Sequence, residues 1–124
     1  MATAADIMTP KVVTTREDTS IWDAARVLLD RRYGGMPVVD SSGKVIGMVS
    51  GFDVISKRGR TVGEIMSRGV VSVKPGDSLD AVIQLMGLHG IRRVPVREGE
   101  LLVGIISRSD LLAHFVDEYE HGDK

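Results

Sequence analysis

Two stretches of this chain set a hydroxyl and a carboxylate at the same spacing: GMVSGFD at residues 47–53 and GIISRSD at residues 104–110. Each reads glycine, two apolar residues, serine, two further residues, aspartate. Ser50-x-x-Asp53 therefore matches Ser107-x-x-Asp110. A serine followed three residues later by an acid, at the start of a helix, is the pattern of a capping box. The hydroxyl accepts a free helix amide and the acid reaches back to the cap. The same groups can hold a ligand. A helix N-terminus offers unpaired N–H groups and the positive end of a dipole to phosphate. A carboxylate beside it can accept both hydroxyls of a ribose, as acidic residues do in dinucleotide sites. The spacing leaves both readings open, and the two roles can coexist.

Nothing else in the sequence has the pattern of a catalytic or metal site. His89, His114 and His121 lack ligand spacing. There is no cysteine, hence no disulfide and no thiolate zinc site. No serine sits in a nucleophile elbow, and no GxGxxG or phosphate-binding loop is present. Asp53 and Asp110 lie far apart in sequence and form no acid pair. The expectation is a binding protein, not an enzyme, with no metal.

The elements that must position the two motifs are themselves repeated. Ile7-Met8 falls on Ile65-Met66 at a shift of 58, as do Val12-Val13 on Val70-Val71, Ser20 on Ser78 and Pro37-Val38 on Pro95-Val96. After the hairpin turn the shift is 57, which brings Gly47, Ser50 and Asp53 onto Gly104, Ser107 and Asp110. Each repeat reads β-α-β-β-α after a short helical turn, so the class is α/β (α+β). In the first, Thr3-x-x-Asp6 opens the turn. Lys11–Thr15 is a strand, and a helix capped by Ser20 runs to about Arg32. Met36–Val39 and Lys44–Val49 form a hairpin around Asp40-Ser-Ser-Gly43, and a helix starts near Gly51. The second repeat gives a strand at Val70–Val73 and a helix from Ser78 to about His89. Its hairpin joins Arg93–Arg97 to Leu101–Ile106, and a last helix runs from Arg108 to about Tyr119. The organisation is 1–57, a basic connector at 58–63, and 64–124. Thr61-x-x-Glu64 reopens the pattern. The acidic end VDEYEHGDK is expected to fray.

At 124 residues the chain suffices for one compact domain, and a unit of half that size buries little core alone. The two repeats are therefore expected to pack as one pseudo-twofold module. Apolar residues are 43% and charged residues 27%, the balance of a folding, soluble chain. No membrane span and no signal peptide are visible, so a cytoplasmic location is expected. A net charge of −1 gives no general attraction to nucleic acid.

DIMT (6–9) and EIMS (64–67), with GGMPVVD and GKVIGMVSGFDVI in one repeat and IRRVPVRE and GIISRSDLL in the other, resemble the motifs of cystathionine-β-synthase-type (CBS) domains. The doubled set resembles a free-standing CBS pair, or Bateman module, over essentially the whole chain. The resemblance implies a regulatory module whose two clefts bind adenosyl ligands: AMP, ADP, ATP, S-adenosylmethionine or NAD. No cofactor is required; the nucleotide is the regulatory ligand. It also implies ribose clamps at Asp53 and Asp110, with Ser50, Ser107 and Ser109 as hydroxyl partners. One cleft would use Thr9, Val13, Tyr33 and Gly34 with Ser107, Ser109 and Asp110. The other would use Ser67, Val71, Ile91 and Arg92 with Ser50 and Asp53. Val13 and Val71 are equally read as strand core.

The two clefts are expected to differ. Arg92-Arg93 stands where the first repeat has Gly34-Gly35, and a guanidinium suits phosphate. The same arginines can be read as surface charges. Gly51 and Phe52 stand opposite Arg108 and Ser109 and weaken the first repeat as a polar site.

Apolar residues beyond one core face are expected to cover a second copy, giving a homodimer. In the second repeat these form two stripes: Leu79, Val82, Ile83 and Met86, and beside it Ala81, Leu85 and Leu88. Trp22 lies off the main stripe of its helix. The regulated partner is unknown. Other readings are a dimerisation or docking module with degenerate sites, and nucleic-acid binding through Lys57, Arg58 and Arg60, against which the balanced charge argues.

Overall fold

A computed structural model describes residues 1–122. It contains six helices and four strands among those residues: α1 (Ala4–Ile7), α2 (Ile21–Arg31), β1 (Gly35–Val39), β2 (Val45–Ser50), α3 (Gly51–Ser56), α4 (Val62–Ile65), α5 (Leu79–His89), β3 (Arg93–Glu98), β4 (Leu101–Ser107) and α6 (Arg108–His121). β1 pairs with β2 and β3 with β4, each as a two-stranded sheet. The strands expected at Lys11–Thr15 and Val70–Val73 each reduce to a single parallel bridge, Thr15 to Val38 and Val73 to Val96. A segment that makes one bridge offers β-branched side chains to the core without building a ladder. The end of α6 differs too: helix continues through His121 where fraying was expected, while residues 123 and 124 lie outside the described residues.

The chain forms two compact units, and each takes its opening turn from the other repeat. The Asp53 unit comprises Val13–Val71 with Gly99–Leu102; the Asp110 unit comprises Met1–Val12, Ser72–Glu98 and the chain from Val103 on. In the Asp110 unit, the first amides of α1 donate to the loop before α5: Ala4 N to Asp77 O at 2.8 Å and Ala5 N to Pro75 O at 2.9 Å. In the Asp53 unit, Val62 N donates to Thr19 O at 2.9 Å and Gly63 N to Glu17 O at 2.8 Å. These amides have no partner within a four-residue helix, so the loop carbonyls satisfy them. Thr61 and Val62, inside the segment read as a connector, are thus structural; Val62 is fully buried.

The methionines of DIMT and EIMS explain the glycines of the two motifs. A Cβ on Gly47 would lie 2.7 Å from Met66 Sδ and 2.9 Å from the Ser67 carbonyl oxygen. A Cβ on Gly104 would strike Met8, including its Cγ at 2.8 Å. Glycine at these positions admits a close approach, since neither is among the residues with positive φ.

The core of the Asp53 unit gathers Ala24 and Leu28 from α2, Met36, Val38 and Val49 from the hairpin, and Val62, Ile65 and Met66 from the second repeat's opening. In the Asp110 unit Ala4, Val82, Val94, Val96, Ile105 and Ile106 are buried. Each of the valine, leucine, isoleucine and methionine side chains contributes about 1.5–3 kcal/mol on leaving water. Of the two stripes expected on α5, Leu79, Val82 and Met86 are buried, whereas Ile83 and Leu88 are exposed. The helix ends differ in one instructive way. α5 stops at Gly90 (φ 62), but α2 stops at Arg32 (φ 57), a left-handed conformation that penalises a side chain.

Two substitutions test this packing with opposite signs in urea denaturation. Gly47→Ala is expected to lower stability by about 1–3 kcal/mol, because the added methyl meets backbone as well as Met66. Arg32→Gly is expected to raise it by up to about 1 kcal/mol.

Candidate functional site

Both Ser-x-x-Asp motifs are capping boxes in the structure. Ser50 and Ser107 are extended N-caps of α3 and α6. Asp53 N donates to Ser50 Oγ at 3.0 Å, and Ser50 N donates to Asp53 Oδ2 at 2.9 Å. Asp110 N donates to Ser107 Oγ at 3.1 Å, and Ser107 N donates to Asp110 Oδ2 at 2.8 Å. In each case the cap occupies one carboxylate oxygen and leaves Oδ1 for another partner.

The neighbours of each motif follow from the exchanged openings. In the Asp110 unit, Thr9 N donates to Ile105 O at 2.8 Å and Ile105 N to Thr9 O at 3.0 Å, two residues before Ser107. Arg108 N donates to Arg92 O at 2.8 Å, so Ile91, Arg92 and Arg93 enter β3 beside the start of α6. Arg92, Arg108 and Ser109 are exposed, and Asp110 is half-buried. In the Asp53 unit, Ser67 and Met48 exchange hydrogen bonds at 2.8 and 2.9 Å. Gly51 N donates to Gly34 O at 3.1 Å.

The structure thus brings Thr9 together with Ser107–Asp110, and Ser67 with Ser50–Asp53, each within one unit. Gly34 is joined to the start of α3 in the Asp53 unit, and Arg92 to the start of α6 in the Asp110 unit. The physical reason is the hairpin: β1 pairs with β2 and Gly35 stands opposite Ser50, so the residues before β1 must flank the helix that follows β2. By backbone position, Arg92, Arg108 and Ser109 therefore share the start of α6 with Asp110. Val13 packs against the core of the Asp53 unit, and Val71, in the same unit, is half-buried. Tyr33 also packs on that core and lines an open apolar groove of about 440 Å³ between α2 and α3, with Leu28, Leu29, Gly51, Val54 and Ile55 among its walls.

Lys57 is the residue that the motif reading missed. Its Nζ lies 2.9 Å from Asp53 Oδ1 and donates to Ile65 O at 3.1 Å. Read from composition only as a basic residue beside Arg58 and Arg60, it is marked by its i,i+4 spacing from Asp53. Burial pushes the Asp53 carboxyl up. The Lys57 ammonium and the amide and hydroxyl of Ser50 outweigh it and hold the group below its ordinary value of 3.8.

The family model described as CBS domain matches the chain twice, at residues 4–59 and 62–117. The CBS domain-containing protein YhcV of Bacillus subtilis is 36% identical over 118 residues, covering 90% of this chain and 84% of YhcV. Several other relatives are much longer, and the chain spans only 20–24% of their length. Among solved structures, CBSX2 of Arabidopsis thaliana in complex with AMP is similar with a TM-score of 0.90 and 25% identity, covering 96% of this chain and 99% of that one. The CBS domain pair of protein MJ0100, in complex with 5-methylthioadenosine and S-adenosyl-L-methionine, is similar with a TM-score of 0.84 and 27% identity, covering 94% and 98%.

A folded pKa below the unfolded one means that Asp53 contributes stability above the unfolded value and loses it as pH falls through the folded value. Asp53→Asn is therefore expected to flatten the fall in stability as pH drops below the ordinary carboxyl value of 3.8, read as urea midpoints. An unchanged acid slope would show that the carboxylate is not held as described.

Proposed function

Because the chain belongs to the CBS domain family, we propose that it is a non-catalytic sensor that binds an adenosyl ligand and passes the change to a partner protein. The observation that carries this reading is the surroundings of Asp110. Its Oδ2 is spent on the cap, and the described contacts leave Oδ1 open for a ribose hydroxyl. Ser107, Ser109 and Thr9 supply further hydroxyls nearby. Arg92 and Arg108, both exposed and joined by a 2.8 Å backbone bond, supply guanidinium groups for phosphate. The named ligands of the two similar structures, AMP and the methylthioadenosine and S-adenosylmethionine pair, share the adenosyl group. Arginines at the clamp favour AMP, ADP or ATP over ligands without phosphate; NAD fits the same chemistry.

A ligand regulates only if it binds one arrangement of the protein better than another. We take the readout to be a partner protein in the cytoplasm, with no cofactor or metal required. No helix among the described residues is long and apolar enough to cross a membrane.

The second reading, a dimerisation or docking module, is favoured by exposed apolar side chains. Trp22, Leu29 and Ile55 in the Asp53 unit are 68%, 73% and 82% exposed; Leu88, Leu112 and Phe115 in the Asp110 unit are exposed as well. Such surface is what a helix-mediated homodimer covers.

Calorimetry against ATP, ADP, AMP, S-adenosylmethionine and NADH tests the main reading. At least one is expected to bind, and Asp110→Ala is expected to weaken it by roughly tenfold or more, the worth of a charge-assisted hydrogen bond. No binding to any of them, or binding indifferent to Asp110→Ala, overturns it. Light scattering at micromolar concentration is expected to show a dimer; a monomer alone refutes that part.

A further inference from the structure

The two aspartates have the same cap and differ in what meets Oδ1. At Asp53 it is Lys57, one turn along the chain, at 2.9 Å. The equivalent position of the second repeat is His114, whose Nε2 lies 3.4 Å from Glu118 Oε1. We propose that Lys57 is an internal occupant of the first repeat's clamp. Its ammonium takes the Asp53 oxygen that a ribose hydroxyl would need, so adenosyl ligand enters at Asp110 alone while the ion pair is closed. This rests on the ribose-clamp reading above.

The competition is uneven in favour of the lysine. A carboxylate that has given one oxygen to its own helix cap can receive a ribose only through the other. An ammonium there forms a charge-assisted bond, which a neutral hydroxyl does not match. Lys57 is anchored a second time by the Ile65 carbonyl at 3.1 Å, so a ligand must displace two bonds at once. The Asp53 side chain is only 13% exposed and has little water to compensate it, whereas Lys57 is 47% exposed and can return its charge to solvent. The lysine therefore works as a latch that opens without unfolding anything.

The test is calorimetric site counting with AMP and S-adenosylmethionine on the full chain and on Lys57→Met and Lys57→Gln. Glutamine retains a donor for Ile65, and circular dichroism confirms that each variant folds. The wild type is expected to bind one ligand per chain. Both variants are expected to gain a second event, or to strengthen a weak one by roughly tenfold or more. Adding Asp53→Ala is expected to abolish that gain. Two equal sites in the wild type, or an unchanged count in both variants, overturn the inference and leave the sensor reading standing. Weaker binding in the variants also overturns it, since the lysine would then be a phosphate contact. No binding by any protein removes both.

Discussion

Every other feature of this molecule depends on the docking of each repeat's opening turn onto the hairpin of the other repeat. Met8 covers Gly104 and Met66 covers Gly47, and at both places a side chain on the glycine would collide. The free amides of α1 and α4 go to loop carbonyls of the opposite repeat, at equivalent positions and nearly equal distances. Val62 and Ile65, both buried, complete a core begun by the first repeat's α2 and hairpin. One repeat alone would leave glycine-lined hairpin surface bare and an opening turn with unsatisfied amides. The doubling of the sequence is thus a condition of folding before it is a statement about ligands.

The same exchange places the polar groups. Thr9 and Ser67 close the two openings, and backbone bonds to Ile105 and Met48 hold them within two residues of the capping serines. The hairpins hold the residues that precede β1 and β3 against the starts of α3 and α6. Each carboxylate is therefore surrounded by groups from one hairpin and from the distant opening that docks on it. The differences between repeats are concentrated there: glycine and phenylalanine around Asp53, arginine and serine around Asp110.

Much of this was legible in residue order. A hydroxyl followed by an acid three residues on marks α1, α2, α3, α4 and α6; four of these five are capping boxes in the structure, and at α2 Ser20 accepts from Asp23 N. Serine, apolar spacing and a terminal glycine similarly mark α5. The pairing of Gly34 with the α3 start was not legible, because it needs the register of β1 on β2, which turn length alone does not set. The strands before α2 and α5 were read from β-branched composition, but composition does not count hydrogen bonds, and each segment makes only one bridge. Arg32 at the left-handed end of α2 ran against propensity; the match to Gly90 in the other repeat was the available signal.

Capping and ligand binding cannot be separated by the Ser-x-x-Asp pattern, since the cap consumes the serine oxygen and only one aspartate oxygen. What separates the two motifs is the residue one helical turn beyond. A lysine there reaches back to the carboxylate, because a helix brings i and i+4 together and a cation is attracted to a half-buried anion. A histidine there finds an acid one turn further along instead. Two capping boxes identical in their four defining atoms therefore differ at Oδ1: that of Asp53 meets Lys57 at 2.9 Å, while the histidine equivalent to Lys57 pairs with Glu118. A duplicated site can in this way be made unequal by a single exposed position, without altering the cap that both copies need in order to fold.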